Sequence, residues 1–295
     1  MIRQFAHKFQ TLIKIGIFDF LNPQIMLFRD PITSVQNPRI KNFIHLQKAK
    51  ERKEQNVFVV EGSKEYAQAI RHKYQFVSTF VCFDLISEVY FKAISSGVNH
   101  NAEVYPVSKE VFDKIAYREG SGGIIALARP KSHRLEDLSL KANPLLLILE
   151  AVEKPGNLGA ILRTADAAGV DAVIVCDPQT DIYNPNVVRS SIGCLFSVPL
   201  AVCNSEGAIA WLKSNQIAIY CTYLKAALPY TEVDFMNPSA IVMGTESEGI
   251  TPKWVAAADR NIIIPMQGSA DSMNVSTATA VVVFEACRQR NFGKV

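Results

Sequence analysis

Histidine is missing from the second half of this chain, where none of the five histidines lies beyond residue 133. Residues 144–295 therefore contain no Ser-His-Asp or Cys-His arrangement that could activate a nucleophile. The same half has neither G-x-G-x-x-G after its first strand-like run nor G-x-x-x-x-G-K-[S/T]. Hydrolases with such triads, ordinary dinucleotide-binding enzymes and P-loop enzymes are excluded for this half.

Other features are absent from the whole sequence. The six cysteines include no C-x-x-C pair, and in residues 144–295 no paired carboxylates stand at metal-ligand spacing. We interpret the cysteines as reduced, buried thiols of a cytoplasmic protein and predict no metal. No apolar run approaches the ~20 residues of a membrane span. With 48% hydrophobic and 20% charged residues, the composition is typical of a globular protein.

Charge is unevenly distributed along the chain. Residues 1–143 contain 21 Lys and Arg against 14 Asp and Glu, a net charge of +7, whereas residues 144–295 contain 10 against 14, a net charge of −4. The difference indicates a basic module that meets a polyanion, joined to a module with another task. Charge alone leaves open nucleic-acid binding and a plain solvated surface.

Composition and periodicity divide the chain into four segments. Residues 1–32 are apolar and basic. A targeting peptide, translation from a start codon assigned too far upstream and a loosely attached extension all stay open, and we assign this segment no function. Strand-like and helix-like runs alternate over residues 33–130 and predict a small α/β domain. Residues 131–143 are polar without apolar periodicity and predict a linker. Residues 144–295 form the second domain.

The densest basic patch lies in one predicted helix that contains residues 39–55. Asn37 is its expected N-cap and Pro38 its first helical residue. A solvated helix face is the plain alternative. We predict that its cations contact RNA phosphates: Arg39, Lys41, Lys48, Lys50 and Arg52.

Continuous apolar strands alternate with helices over residues 144–295, which predicts a parallel sheet covered on both faces. Three loops that follow strands hold most of the unusual polar residues: 153–164, 244–252 and 265–274. The third runs from a short β-branched strand into a helix that Asn274 or Ser276 caps. Ligands bind outside the carboxyl ends of such strands, so we expect the three loops to converge on one site.

The three loops resemble the signature motifs of the SpoU (TrmH-type) branch of the SPOUT RNA methyltransferases. Met273 replaces the family's leucine, a change of similar volume. The resemblance covers residues 144–291, and the basic domain is more loosely similar to a substrate-binding domain like a small ribosomal protein. The matching residues are Asn157, Gly159 and Arg163 in the first motif; Gly244, Thr245, Glu246 and Gly249 in the second; and Ile264, Pro265, Met266 and 272–276 in the third.

This resemblance implies a trefoil knot, a homodimer formed by the catalytic domains, and S-adenosylmethionine as cofactor. By position, it implies cofactor contacts at Gly244, Ile264, Met273, Met266 and Thr222. It implies methylation of a ribose 2′-hydroxyl, with the following residues in the catalytic site: Arg163, Asn157, Glu246, Ser272 and Asn274.

The role of Arg163 needs separate comment, because a guanidinium is effectively never deprotonated in proteins. We interpret Arg163 as the group that binds the RNA phosphate next to the target ribose and stabilises the alkoxide that develops on the 2′-oxygen. Asn157, Ser272 and Asn274 would orient it and the ribose, and Glu246 would hold the loops or accept the proton.

We therefore predict an S-adenosylmethionine-dependent RNA 2′-O-methyltransferase that acts on structured RNA, with ribosomal RNA first and tRNA second. A catalytically silent RNA-binding protein on the same scaffold is one rival, which the intact motifs disfavour. A small-molecule α/β enzyme that uses a nucleotide is another, which the missing phosphate loops disfavour. The modified nucleotide stays open.

Overall fold

Two β-sheets, each packed against helices, build the protein. The structure is a computed structural model that describes residues 26–99, 101–117, 120–225, 227–245 and 249–293. The strands of the first sheet are β1 (Leu27–Phe28), β2 (Phe58–Glu61), β3 (Phe76–Val81), β4 (Glu103–Pro106) and β5 (Ile124–Ala128). In this sheet β1, β4 and β3 run parallel, and β5 is antiparallel to both β3 and β2. Its helices are α1 (Pro38–His45), α2 (Ala49–Gln55), α3 (Ser63–Arg71), α4 (Glu88–Ile94) and α5 (Lys109–Ile115).

The second sheet has seven strands, all parallel, which confirms the predicted α/β class. The strands are β6 (Leu145–Glu150), β7 (Ala172–Cys176), β8 (Leu200–Cys203), β9 (Ala218–Thr222), β10 (Leu228–Pro229), β11 (Ser239–Met243) and β12 (Arg260–Ile263). Their spatial order is β10-β12-β9-β11-β6-β7-β8. The helices are α6 (Pro155–Ala168), α7 (Pro185–Ser190), α8 (Cys194–Ser197), α9 (Ser205–Ser214), α10 (Pro252–Ala257) and α11 (Val275–Gln289).

Every residue of the neighbouring strands β6 and β11 is buried, because helices cover both faces of the sheet. This explains why both strands are continuous apolar runs rather than alternating ones. The predicted knot and the predicted domain boundaries stay predictions. Within the described ranges, no helix combines the length and apolar character that crossing a bilayer requires.

The predicted linker is packed against both sheets. The backbone carbonyl of His133 accepts a hydrogen bond of 2.7 Å from the amide of Val202, at the edge strand β8. The His133 ring lies 2.6 Å from the Tyr183 hydroxyl, and burial lowers the pKa of this histidine. The Tyr183 ring stacks on Phe58 of the first sheet at 4.2 Å. The polar segment is therefore part of a joint between the sheets.

The helix predicted over residues 39–55 is in fact two helices, because α1 ends at His45 and α2 begins at Ala49. The guanidinium of Arg52 donates hydrogen bonds to the carbonyls of Leu46 (3.0 Å) and Gln47 (2.9 Å). These bonds satisfy carbonyl groups at the break between the two helices. Arg52 is 4% exposed and pairs with Asp181 at 2.8 Å. This placement corrects the prediction for Arg52, which lies in the joint and not on an exposed basic face.

Gly159 sets how closely α6 and α7 approach. A Cβ at this position would lie 1.9 Å from Oγ of Ser190, 2.8 Å from its Cβ and 2.8 Å from the amide nitrogen of Ser191. Oγ of Ser190 donates to the carbonyl of Asn186 at 2.6 Å. Polar residues in a helical run, such as Ser190 and Ser191, are expected on the helix surface, but Ser191 is fully buried and Ser190 packs against α6.

Gly159→Ala should destabilise the protein by about 1–2 kcal/mol, because the cost of forcing the helices apart exceeds the better helix propensity of alanine. Urea unfolding monitored by circular dichroism would measure this change. Gly156→Ala is the matched control in the same helix, since a Cβ at Gly156 meets nothing within 4 Å. Equal unfolding free energies for the two variants would contradict the close-approach argument.

Candidate functional site

A small cleft opens at the carboxyl ends of β6 and β11. Residues from the first and second loops and Val275, which directly follows the third loop, line it. The contact between Asn157 and Asn274 brings the third loop to the same edge of the sheet, as expected for loops that follow parallel strands. The lining side chains combine apolar walls with polar groups at the rim: Leu149, Glu150, Val152, Glu153, Lys154, Asn157, Ile161, Met243, Gly244, Thr245 and Val275.

Asn157 and Asn274 connect the first loop to the third. Nδ2 of Asn274 donates to Oδ1 of Asn157 at 3.2 Å. Oδ1 of Asn274 accepts from the amide of Ser276 at 3.0 Å and from its hydroxyl at 2.6 Å. Asn274 is therefore the N-cap of α11, as the sequence indicated. Because its carboxamide oxygen is held by the cap, its amide group is fixed in orientation towards Asn157.

The described ends of the second loop meet at the edge of the cleft. Thr245 and Gly249 exchange two backbone hydrogen bonds, of 3.0 and 3.2 Å. A Cβ at Gly244 would lie 2.3 Å from both the carbonyl carbon and the oxygen of Gly249. Only glycine fits at this position, because backbone atoms cannot move aside as a flexible side chain can. Glu246, predicted to act here, lies outside the described residues.

Glu150 is a cleft residue that sequence reasoning missed. It is 2% exposed at the end of β6, and its carboxylate accepts hydrogen bonds from the amide (2.9 Å) and hydroxyl (2.6 Å) of Thr251. A carboxylate that ends a six-residue buried strand, directly before the first motif, was the available signal. An ionised side chain is seldom buried without a specific partner.

Of the five predicted cofactor residues, only Gly244 lines the cleft. Thr222 ends β9 and donates to the carbonyl of Val242 at 2.9 Å, which ties β9 to β11. Ile264, Met266 and Met273 are half-buried in the loop between β12 and α11. Since β12, β9 and β11 are parallel neighbours, these residues lie at the same end of the sheet as the cleft. Their contact with a cofactor stays a prediction.

Arg163 lies away from the cleft of its own chain. Arg163 lies six positions after Asn157 on α6. At about 100° per residue, its side chain therefore points about 240° around the helix axis from that of Asn157. Arg163 is exposed and not part of the cleft lining. Near it, burial raises the pKa of the Cys194 thiol to about 11, with the Asp166 carboxylate adding to the increase and the Arg163 guanidinium opposing it.

Ser272 is exposed, and its hydroxyl lies 3.4 Å from Oδ1 of Asp271. The structure places it in the third loop but not in the lining of the cleft. Its predicted role therefore stays a prediction.

The remaining basic residues predicted to meet RNA are on the surface: Arg39, Lys41, Lys48 and Lys50 are all exposed. The Arg39 guanidinium lies 3.8 Å from the Glu103 carboxylate and 4.7 Å from the centre of the Tyr105 ring. Lys50 pairs loosely with Glu54 at 3.7 Å within α2. Exposed pairs of this kind are weak and exchange readily for a phosphate partner.

No group of three or more His, Cys, Asp or Glu side chains that could hold a metal ion occurs in the part of the chain that the structure describes.

The fold and the cleft together define an α/β protein with a candidate ligand site at the carboxyl ends of a parallel sheet. Residues 144–284 match the model of the SpoU rRNA Methylase family, and residues 37–126 match that of the MRM3-like substrate binding domain. The chain belongs to the SpoU rRNA methylase family, which confirms the resemblance found in its three motifs.

Individual relatives cover most of the chain. The 23S rRNA (guanosine(2553)-2'-O)-methyltransferase RlmP of Bacillus subtilis (strain 168) is 30% identical over 256 residues, 86% of this chain and 97% of that protein. The 23S rRNA (guanosine-2'-O-)-methyltransferase RlmB of Bordetella pertussis (strain Tohama I) is 39% identical over 192 residues, 63% of this chain and 78% of that protein. The crystal structure of an rRNA methyltransferase from Sinorhizobium meliloti with bound S-adenosylmethionine has a TM-score of 0.80 at 28% identity, covering 90% of this chain and 98% of that one.

Proposed function

We propose that this protein transfers a methyl group from S-adenosylmethionine to a ribose 2′-hydroxyl of ribosomal RNA. The observation that carries the proposal is the cleft in which Asn157, held by the cap residue Asn274, lies beside the tight turn at Gly244. Relatives named as 23S rRNA 2′-O-methyltransferases support ribosomal RNA over tRNA as the substrate.

The cleft fits S-adenosylmethionine in its chemistry. Leu149, Ile161 and Met243 supply apolar walls, and Gly244 and Thr245 add backbone groups to the lining, with Gly244 packed directly against the Gly249 backbone. Apolar walls with a few fixed polar groups are typical of small-molecule sites. When bound, the cofactor supplies an electrophilic methyl group on its sulfonium. Ile264, Met266, Met273 and Thr222 would close the same subsite from the neighbouring strand ends.

The reaction asks the protein to align a hydroxyl and to stabilise the charge that develops on its oxygen. Asn157 and Asn274 would orient the ribose with their fixed amide groups. The permanently charged Arg163 would hold the adjacent phosphate and stabilise the alkoxide, with Ser272 supporting this arrangement. Glu246 is the candidate proton acceptor, because Arg163 cannot lose its proton.

The position of Arg163 supports a homodimer as the working form. Arg163 is exposed and does not line the cleft of its own chain, so in this proposal a second copy brings its guanidinium to the reacting ribose. Closed two-fold dimers are the commonest way in which identical chains complete each other's sites. We further propose that Arg39, Lys41, Lys48 and Lys50 contact the RNA backbone, and that the protein acts in the cytoplasm.

Methyl transfer from radiolabelled S-adenosylmethionine to total rRNA and tRNA tests the proposal. Label recovered in a 2′-O-methylated nucleotide of rRNA is the expected result. Label confined to tRNA would mean that tRNA, and not rRNA, is the substrate. Label in a base would contradict methylation of the ribose 2′-hydroxyl. No label, with tight RNA binding and no cofactor binding by calorimetry, would favour a catalytically silent RNA-binding protein.

Gly244→Ala should weaken S-adenosylmethionine binding by about tenfold or more, because the new Cβ displaces the Gly249 backbone at the edge of the cleft. Isothermal titration calorimetry would measure the dissociation constant. Gly268→Ala is the matched control in the third loop, since a Cβ there meets nothing within 4 Å. Unchanged affinity in Gly244→Ala would remove this turn from the cofactor site.

A further inference from the structure

The Glu150–Thr251 contact joins the central sheet to the chain that leaves the second loop. Glu150 ends β6, which pairs with β11 on one side and β7 on the other. Thr251 follows the Gly249 turn and is the N-cap of α10. Both carboxylate oxygens of Glu150 are used, one by the amide and one by the hydroxyl of Thr251. The loop is therefore fastened to the sheet at its far end.

Thr251 is not used as an N-cap residue usually is. A threonine at this position normally accepts a hydrogen bond from a backbone amide of the first helical turn, which stabilises the helix. Here its side chain makes no such bond and donates to Glu150 instead. Burying a carboxylate also costs free energy. Helix stability therefore does not explain this pair of residues, whereas fixing the loop does.

The position of Gly244, at the start of the same loop, depends on the position of Thr251 at its end. Gly244 packs directly against the Gly249 backbone, two residues before Thr251. Moving Thr251 by a few tenths of an ångström therefore moves the turn against which the cleft edge is built. Glu150 is also one of the residues that line that cleft.

We propose that Glu150 is a positioning residue for the cofactor: its carboxylate holds Thr251, and thereby keeps Gly249 packed against Gly244 in the geometry that binds S-adenosylmethionine. The inference rests on the proposed methyltransferase function and deepens it. Glu150 acts through Thr251 and takes no proton in the reaction. Its loss therefore lowers cofactor affinity and leaves the turnover of the loaded enzyme largely intact.

The test compares Glu150→Gln, Thr251→Val and the double variant by calorimetry with S-adenosylmethionine, steady-state kinetics and thermal unfolding. Glutamine keeps one acceptor oxygen, and valine removes only the hydroxyl. We expect each single variant to raise the cofactor Kd by about tenfold, with kcat at saturating cofactor changed less than threefold. The double variant should be no weaker than the worse single variant, because both break one contact.

Two controls separate positioning from general stability. Thr251→Ser keeps the hydroxyl and should bind S-adenosylmethionine like wild type. Glu65→Gln changes another buried carboxylate, on α3 and outside the cleft lining, and should leave the cofactor Kd unchanged. A Kd raised equally by Glu65→Gln would overturn the inference.

The remaining outcomes are equally decisive. Glu150→Gln with unchanged Kd, or with lost kcat at unchanged Kd, would refute a role in cofactor positioning. Should Glu150→Gln fail to fold, Thr251→Val carries the same test. Wild type that does not bind S-adenosylmethionine would refute the proposed function itself, whereas binding by wild type and equal binding by both single variants would refute the Glu150 inference alone.

Discussion

Arg163→Ala should lower methyl transfer by about 10²–10³-fold while cofactor binding and folding stay unchanged. Removing one group that stabilises developing charge costs about this much in other enzymes. Arg163 is exposed and outside the cofactor cleft, so its truncation should change the unfolding free energy by less than about 0.5 kcal/mol. Single-turnover kinetics with saturating S-adenosylmethionine would measure the loss. Arg163→Lys should recover only part of the rate, because a single ammonium cannot replace a planar fork of donors.

The same variant can show which chain supplies the arginine. In a mixture of Arg163→Ala and Asn157→Ala chains, an arginine that acts across a dimer leaves one complete site in each mixed dimer. Random mixing would then restore about a quarter of wild-type activity, although each variant alone is inactive. An arginine that acts within its own chain would restore none. Activity that stays at the level of the separate variants would therefore contradict the proposed dimer arrangement.

The sequence predicted the sheet and the convergence of its loops because both follow from local patterns. Continuous apolar strands such as residues 145–150 require cover on two faces, and parallel strands bring their carboxyl ends to one edge. The capping role of Asn274 was likewise readable from a polar residue before a helical run. Each of these features depends on residues close together in the chain.

Features set by distant partners were not readable in this way. Nothing near Arg52 in the chain indicates that Asp181, 129 residues away, pairs with it. Ser190 looked like helix surface because its partner, Gly159, belongs to another helix. Glu150 was missed for the same reason, since Thr251 lies 101 residues further on. A charged or small residue takes its role from what packs against it, which one sequence does not show.

Arg52→Ala and Lys50→Ala should have opposite effects, although both residues belong to the basic helix α2. Removing the Arg52 side chain leaves Asp181 without its partner and two carbonyls without a donor, which should cost about 2–3 kcal/mol of unfolding free energy. This estimate lies below that for a fully buried pair because the Asp181 side chain is 34% exposed. Lys50 is exposed, and its pair with Glu54 is worth little.

The salt dependence of RNA binding should change in Lys50→Ala but not in Arg52→Ala. If Lys50 neutralises a phosphate, Lys50→Ala should reduce the slope of log K against log salt by about 0.7–0.9 and leave the unfolding free energy unchanged. Arg52→Ala should leave that slope unchanged at temperatures where the variant is folded, because a buried guanidinium releases no counterion. Filter binding across a salt series would measure both slopes. A slope reduced equally in Arg52→Ala would mean that Arg52 leaves Asp181 to reach RNA, and the joint between the sheets would then open when the substrate binds.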